Sequence, residues 1–521
     1  METNQMAGYD CVRTLPPGRR IQALIRRLIL SVFCLTTGAI ASERPNFLFI
    51  LTDDQSPYTL STYGNNVCQT PNINRISTEG MTIVDAHHMG SYTGAVCLPS
   101  RTMIMTGRTV WRIPHRRSGR NAKQDDPQAS PDFIEEAAGN SMAALFNNAG
   151  YDTFRTCKKG NTFGPANQKF KVLHEADKRE GDDENGSKWH GDRAVDFLKQ
   201  RIADRDDDPF LMFLGFSHPH DPRNGKPELL KKYGAENLRQ PPSRLNPAAP
   251  PLPVEYLPAH PFHHGHPGLR DETTVQGVLT DRSEATIRNE LGREYACIEN
   301  IDVQVGRVLD LLQQTGELDN TYVFFTSDHG IAVGRHGLTG KQNLYEHTWR
   351  VPFLVRGPGV KAGSRASGFI YLLDVLPTMC DLAGIHRPEK MEGLSFRNVL
   401  DGSQNRIRDT LYGVYCGGTK PGMRSVKTAD GWKLIKYDVM DGQVRETQLF
   451  NLNENPFELL GDHHASTVIS ITGNTPLPHQ KNLADDPRFA AKRLQLEAAL
   501  LAEQVRLDDP YRLWDQPQLP Q

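Results

Sequence analysis

Short, uninterrupted apolar runs, each cut off by polar residues, set the pattern of this chain. Phe47-Leu48-Phe49-Ile50-Leu51 leads into Thr52-Asp53-Asp54, and Tyr322-Val323-Phe324-Phe325 leads into Thr326-Ser327-Asp328-His329-Gly330. Phe210-Leu211-Met212-Phe213-Leu214 runs towards Ser217-His218-Pro219-His220-Asp221-Pro222. Continuous rather than alternating apolar strands suit a parallel sheet covered on both faces. In open sheets of this kind ligands sit beyond the carboxyl ends of the strands. The pattern therefore gathers Asp53, Asp54, Asp328, His329 and His220 on one rim. Between the strands, Tyr295, Ile298, Ile301, Val305, Val308 and Leu312 recur at helical spacing, and Gly316 marks the end of that helix. The stretch 240–270 is rich in Pro and His without periodicity and reads as a surface insertion. After about residue 400 the texture changes. Met423–Val426, Trp432–Tyr437 and Gln448–Leu452 read as antiparallel strands, and Phe489–Val505 as an amphipathic helix. The expectation is an α/β fold. A large, mostly parallel sheet sandwiched by helices spans 42–400, and a smaller α+β subdomain on an antiparallel sheet spans 401–521.

The N-terminus carries a different signal. Arg19, Arg20, Arg26 and Arg27 precede the apolar run Leu28–Ala39, and Ala39-Ile40-Ala41 fits a cleavage site. Residues 1–41 thus read as a secretory signal peptide, too short in its apolar part to span a bilayer comfortably. A secreted or periplasmic protein with no membrane span is expected. Charge excludes other partners: 60 basic and 62 acidic residues balance, so no global field points to nucleic acid or an anionic membrane. Eight cysteines fall to six after cleavage, scattered and without C-x-x-C, which implies neither a zinc knuckle nor a disulfide scaffold.

Each acidic pair taken alone is an ordinary turn or helix cap. Placed together beyond buried strands, Asp53, Asp54 and Asp328 with His329 offer oxygen-rich coordination and one imidazole. Hard oxygen donors favour Ca2+ or Mg2+, and a single histidine leaves Mn2+ open. The histidine side chain, whose unperturbed pKa lies near neutrality, suits proton transfer, and His220 and His218 are the candidates.

The most specific stretch is Cys97-Leu98-Pro99-Ser100-Arg101, followed by Thr106-Gly107-Arg108. A lone cysteine is ordinarily a buried hydrophobe. Here its neighbours match C-x-P-S-R…T-G-R, and the chain resembles the type I sulfatases of the alkaline phosphatase superfamily. That resemblance implies an alkaline-phosphatase-like fold and a cysteine oxidised by a maturation enzyme to formylglycine, whose hydrate is the nucleophile. It further implies calcium held by Asp53, Asp54, Asp328, His329 and the matured Cys97 side chain. Arg101 would steady the formylglycine, Lys158 and Lys341 would contact the sulfate, and His220 would protonate the leaving alcohol. Lys341 stands in Gly340-Lys341-Gln342-Asn343-Leu344-Tyr345-Glu346, close to the family's G-K-x-x-x-Y-E run. The implied substrate is a sulfate ester, and an exported hydrolase with a polar insertion suits a sulfated saccharide.

Two departures stand out. The family often has Asn where this chain has His329, which leaves the metal's identity open. Where members carry G-K-W-H, this chain reads Cys157-Lys158-Lys159-Gly160, so the histidine position is Gly160. Lys188-Trp189-His190-Gly191 repeats the letters downstream but opens a helix, and reads as coincidence. His263, His264 and His266 read as surface or substrate-rim residues. A formylglycine-dependent phosphodiesterase or phosphonate monoester hydrolase, or a non-catalytic glycan-binding relative, remain alternatives.

Overall fold

A computed structural model describes residues 44–114, 127–176, 186–264 and 279–518. The leader 1–41 and His266 lie outside them. From Pro45 onward the described residues pack as one compact unit. The apolar runs form the centre of an eight-stranded sheet, in the order Ser364–Ala366, Met81–Ile83, Phe353–Arg356, Thr321–Ser327, Asn46–Thr52, Phe210–Gly215, Asp152–Lys158, Val172–Ala176. From Thr321–Ser327 to Val172–Ala176 every pairing is parallel, and Phe353–Arg356 alone runs against its neighbours. The sheet is mostly parallel, as the uninterrupted runs implied.

Alternation along each strand explains why both faces are apolar. Phe47, Phe49 and Leu51 pack with Leu211, Phe213 and Phe324 under helices Pro131–Gly139, Met142–Asn148 and Val375–Ala383. Leu48 and Ile50 pack with Met212, Leu214 and Val323 on the opposite face, under Pro71–Thr78, Ser187–Asp204 and the long helix Glu284–Thr315. That helix starts at a Ser283 cap whose hydroxyl accepts the Thr286 N–H, and it ends where Gly316 turns left-handed at φ +79°, a conformation glycine adopts without steric cost. Leu51 stands level with Gly215 on one side and Thr326 on the other. The three central strands therefore end together, and the polar residues after them meet.

The second sheet is antiparallel through Val444–Asn451, Trp432–Val439, Gly422–Thr428 and Thr410–Tyr415. Helix Ala490–Arg506 covers it with Leu496 and Leu500. Its fifth strand, Gly90–Ser91, joins in parallel from the segment just before Cys97. One apolar cluster runs from Val96 and Met103 through Trp349 to Leu434 and Leu449, so the C-terminal sheet is fused to the segment carrying the cysteine motif. The described part of the Pro/His-rich stretch, residues 240–264, is less superficial than its composition suggested. Leu252, Tyr256 and Leu257 are buried, and so is His264, which packs on Tyr437 and meets His260 Nε2 at 3.1 Å. Aromatic packing, invisible to periodicity, draws it in. Among the described residues no helix is long and apolar enough to cross a membrane.

Many histidines are buried as neutral rings. Burial pushes His87 down to about 4, and His190 and His260 down to about 3. In the unfolded chain these rings take a proton near 6.5, whereas in the fold they resist until pH 4 or below. Between those values the unfolded state binds more protons, so stability falls as pH falls. The melting temperature is expected to drop steadily below pH 6.5, each such histidine costing up to about 1.4 kcal/mol per pH unit. A scanning calorimetry series from pH 7.5 to 4.5 checks this, and a flat profile to pH 5 would refute it.

Candidate active site

Cys97 opens the helix Cys97–Thr106, which ends where Gly107 turns left-handed at φ +64°. The helix start points at the rim formed by the strand ends. Asp53 and Asp54 follow Asn46–Thr52, and Asp328 and His329 follow Thr321–Ser327. Asp53 N–H donates to the His218 carbonyl at 3.2 Å, and Asp54 N–H to Asp328 Oδ1 at 3.2 Å. Ser100 Oγ donates to the Asp328 carbonyl at 2.6 Å, tying the cysteine helix to the strand end. Asp54 adopts φ +65°, a left-handed conformation that aspartate tolerates better than most residues.

The candidate catalytic and metal-binding residues Asp53, Asp54, Cys97, Arg101, Lys158, His220, Asp328, His329 and Lys341 lie together. Cys97 Sγ lies 3.2 Å from His329 Nε2, 3.3 Å from Lys341 Nζ and 3.7 Å from Asp53 Oδ1. Lys341 Nζ donates to Asp54 Oδ1 at 2.7 Å, and Lys158 Nζ stands 2.5 Å from Asp53 Oδ2. Arg101 Nε donates to Asp328 Oδ2 at 2.8 Å, while its Nη2 lies 3.4 Å from Asp53 Oδ1. His329 Nε2 is 3.2 Å from Asp54 Oδ1 and 3.5 Å from Asp328 Oδ1. His220 Nε2 is 3.9 Å from Asp54 Oδ2, and its Nδ1 is 2.7 Å from Asp221 Oδ1. All of these groups are buried.

Three carboxylates and three cations thus share one buried volume. Burial opposes the charge on Asp53, yet Lys158 and Arg101 overcome it and hold its carboxyl far below the usual range. Burial pushes Asp328 up to about 6, with the neighbouring Asp53 adding to the rise. Burial also works against a Cys97 thiolate, but Lys158 and Lys341 outweigh it and bring the thiol well below its ordinary value.

The donor set fits a divalent cation. Asp53, Asp54, Cys97 and His329 each offer one ligand atom, all within 4.8 Å of one another. Asp328 adjoins them through His329. Asp53 Oδ2 is buried without a hydrogen bond of proper geometry. Hard oxygens around one imidazole are the chemistry of such an ion.

Two contributors were missed from sequence. Cys157 Sγ accepts Arg101 Nη1 at 2.7 Å, and Asp221 holds His220. Both sit beside residues the motifs had picked out, and adjacency was the available signal. Lys188 instead pairs with Asp192, and His190 is taken up by Thr156 Oγ1 at 2.7 Å and Ser217 Oγ at 3.2 Å. Gly160 is exposed, with nothing within 4 Å of the place a Cβ would occupy.

Residues 45–385 match the Sulfatase family model, and residues 334–474 match the model of the N-sulphoglucosamine sulphohydrolase C-terminal region. The chain belongs to the sulfatase family. With that membership it is a sulfuric ester hydrolase. An arylsulfatase of Clostridium perfringens is 26% identical over 472 residues, covering 80% of this chain and 89% of the relative. An N-acetylglucosamine-6-O-sulfatase of Bacteroides thetaiotaomicron is 23% identical over 490 residues, covering 82% and 84%. A structure in complex with its substrate D-glucosamine-2-N,6-O-disulfate aligns at TM-score 0.64 with 23% identity over 90% of this chain and 99% of that one. The phosphonate monoester hydrolase of Agrobacterium radiobacter shares the fold at TM-score 0.59 and 17% identity, over 89% and 96%.

A cation bound in the fold but not in the unfolded chain raises stability by RT ln(1 + c/Kd), with c the free ion concentration. Chelator treatment is therefore expected to lower the melting temperature of the sulfatase, and added Ca2+ to restore it. With Asp53→Asn or Asp54→Asn, added Ca2+ should no longer shift the melting curve. A wild-type melting curve indifferent to chelator and metal would overturn the site.

Proposed function

We propose that this sulfatase is exported and cleaves a sulfate ester on a sulfated saccharide, with Cys97 matured to formylglycine by a separate enzyme. The observation that carries the reading is the burial of Cys97 Sγ among Lys341, His329 and Asp53. A thiol needs no such company to pack a core, whereas an anion-cleaving centre needs all of it. Asp53, Asp54, Asp328, His329 and the matured residue 97 would hold Ca2+, with Mg2+ or Mn2+ as the other fits. Together the ion and the formylglycine hydrate supply Lewis-acid stabilisation of sulfuryl oxygens and a nucleophile.

The chain's own groups do the rest. The Lys158 and Lys341 ammonium groups flank residue 97 and meet the charge that gathers on the nonbridging oxygens, in a volume where water does not screen them. Arg101 binds Asp328 and lies beside Asp53, which keeps two repelling carboxylates in place. His220 turns Nε2 towards the cluster because Nδ1 faces Asp221, and Nε2 is then the atom to protonate the departing alcohol oxygen.

Export is supported by the basic, apolar and A-x-A sequence of residues 1–41. Saccharide substrates are supported by what the relatives are named for: N-acetylglucosamine-6-O-sulfate in one, a disulfated glucosamine in another. The fold shared with a phosphonate monoester hydrolase keeps that second reading in play. Side-by-side turnover of an aryl sulfate and an aryl phosphodiester separates the two, and preference for the diester would overturn ours. A glycan-binding relative without catalysis would not need a complete set of Cys97, Arg101, Lys158, His220 and Lys341.

Peptide mass spectrometry across His87–Arg101 should find formylglycine at position 97 in active enzyme. Cys97→Ala should abolish turnover while the chain still folds cooperatively, and full activity with an intact thiol would sink the proposal. The open space at Gly160 predicts a specificity effect. Gly160→His should keep turnover of a small aryl sulfate and lose turnover of sulfated oligosaccharides. Faster hydrolysis of both would mean that Gly160 marks a missing catalytic group instead.

A further inference from the structure

Lys341 lies on a stretch without regular structure, Gly340–Tyr345, buried throughout. Its last anchor is Glu346, and Glu346 is held by the C-terminal sheet. Lys433 Nζ, from strand Trp432–Val439, stands 3.0 Å from Glu346 Oε1 and 2.7 Å from Glu458 Oε1. Lys427 Nζ, from Gly422–Thr428, reaches Glu346 Oε2 at 2.8 Å and Asp85 Oδ1 at 2.6 Å. Arg350 Nε approaches Glu346 Oε2 at 3.5 Å. Glu458 closes the ring by accepting the Glu346 N–H at 2.6 Å. Three carboxylates again face three cations. Burial disfavours the Glu346 carboxylate, and Lys427 with Lys433 nonetheless hold it well below the usual range.

Asp85, His87 and Glu346 lie close enough to hold a metal. The Lys427 ammonium already takes the cation's place between Asp85 and Glu346, so the cluster is a fastening. The same stretch is tied at two further points. Tyr345 OH donates to Gln448 Oε1 at 2.9 Å on the strand Val444–Asn451. Gln342 Nε2 donates to the Gly94 carbonyl at 3.3 Å, an oxygen that also accepts from Tyr415 OH at 3.3 Å.

We infer that Lys427, Lys433 and Gln448 of the C-terminal sheet are positioning residues, which fix Lys341 against residue 97 by fastening Glu346 and Tyr345. This rests on Lys341 being a sulfate contact, as argued above. The chemistry does not need the sheet's charges directly, since none of them touches the site. It needs the geometry they impose. A buried ion cluster breaks at high cost when one partner is removed, so the loop has one arrangement rather than several. A displacement of about 1 Å at a catalytic group costs on the order of a hundredfold in rate.

The test uses the full matured chain with 4-nitrophenyl sulfate as substrate, and inorganic sulfate binding followed by calorimetry. Lys433→Met and Tyr345→Phe are measured alone and combined with Lys341→Ala. Tyr345→Phe removes one hydroxyl and serves if Lys433→Met fails to fold. Each single variant is expected to lower kcat on the order of tenfold, to weaken sulfate binding, and to change KM less than kcat. Lys433→Arg should recover most of the loss. In the Lys341→Ala background either change should add less than about twofold, because its route to the site is gone. Equal fold losses in both backgrounds, or wild-type turnover and sulfate binding in both single variants, would overturn the inference. If Lys341→Ala itself leaves turnover and sulfate binding intact, the assignment of Lys341 fails and the inference falls with it. If Lys341→Ala is damaging and the cycle is additive, the coupling alone fails.

Discussion

Mutual repulsion among Asp53, Asp54 and Asp328 is the constraint on which this molecule is built. Two like charges about 4 Å apart cost about 4 kcal/mol even at an effective dielectric of about 20, and here three sit together out of water. Arg101, Lys158 and Lys341 offset that cost. Each comes from a different part of the chain: the cysteine helix, the end of Asp152–Lys158, and the loop before Glu346. No local segment can assemble such a set. A parallel sheet does, because its strands all release their polar ends on the same side, and Leu51, Gly215 and Thr326 end in register. The apolar layers on both faces hold those ends still and keep them dry.

Dryness is also what makes the arrangement useful. In water, three cations near a sulfate would be screened and mobile; in this volume they are fixed before any substrate arrives. Like groups also titrate apart here: burial opposes the Asp53 charge but Lys158 and Arg101 hold its carboxyl far below the usual range, while burial, with the Asp53 charge adding to it, pushes Asp328 up to about 6. A divalent ion among these oxygens would remove that asymmetry by favouring ionised carboxylates throughout.

Much of this was legible in the sequence because it is encoded locally. The run Phe47–Leu51 needs no partner to announce a doubly covered strand, and the observed strand is Asn46–Thr52. The long helix, read from apolar spacing and Gly316, is observed over Glu284–Thr315. Cys97, Arg101 and Lys341 stood out through fixed spacing in short motifs. What stayed hidden is what depends on remote pairing. Met81–Ile83, Ser364–Ala366 and Gly90–Ser91 are two- or three-residue strands, too short for any period to show. The reversal of Phe353–Arg356 leaves no mark on composition, because the direction of a strand is a property of the sheet. Burial of His264 follows from Tyr437, far along the chain. The Glu346 network likewise joins residues that are up to several hundred positions apart, so no local pattern could announce it.

Cys157 shows how one such remote dependency reaches the chemistry. Its side chain occupies the space where a Cβ on residue 215 would stand, 2.5 Å from Sγ. Residue 215 must therefore lack a side chain for the thiol to fit between adjacent parallel strands. Seated there, Cys157 Sγ accepts Arg101 Nη1 and turns the guanidinium so that Nε reaches Asp328 while Nη2 lies beside Asp53. Arg101 has five donors in a rigid fork, and fixing one nitrogen aims the others. A glycine at the end of a central strand thus acts on Asp53 and Asp328 through Cys157 and Arg101. The lysine that follows, Lys158, then meets Asp53 from the other side. The end of one strand both orients a cation and supplies one, and the open backbone at Gly160 begins only after both tasks are done.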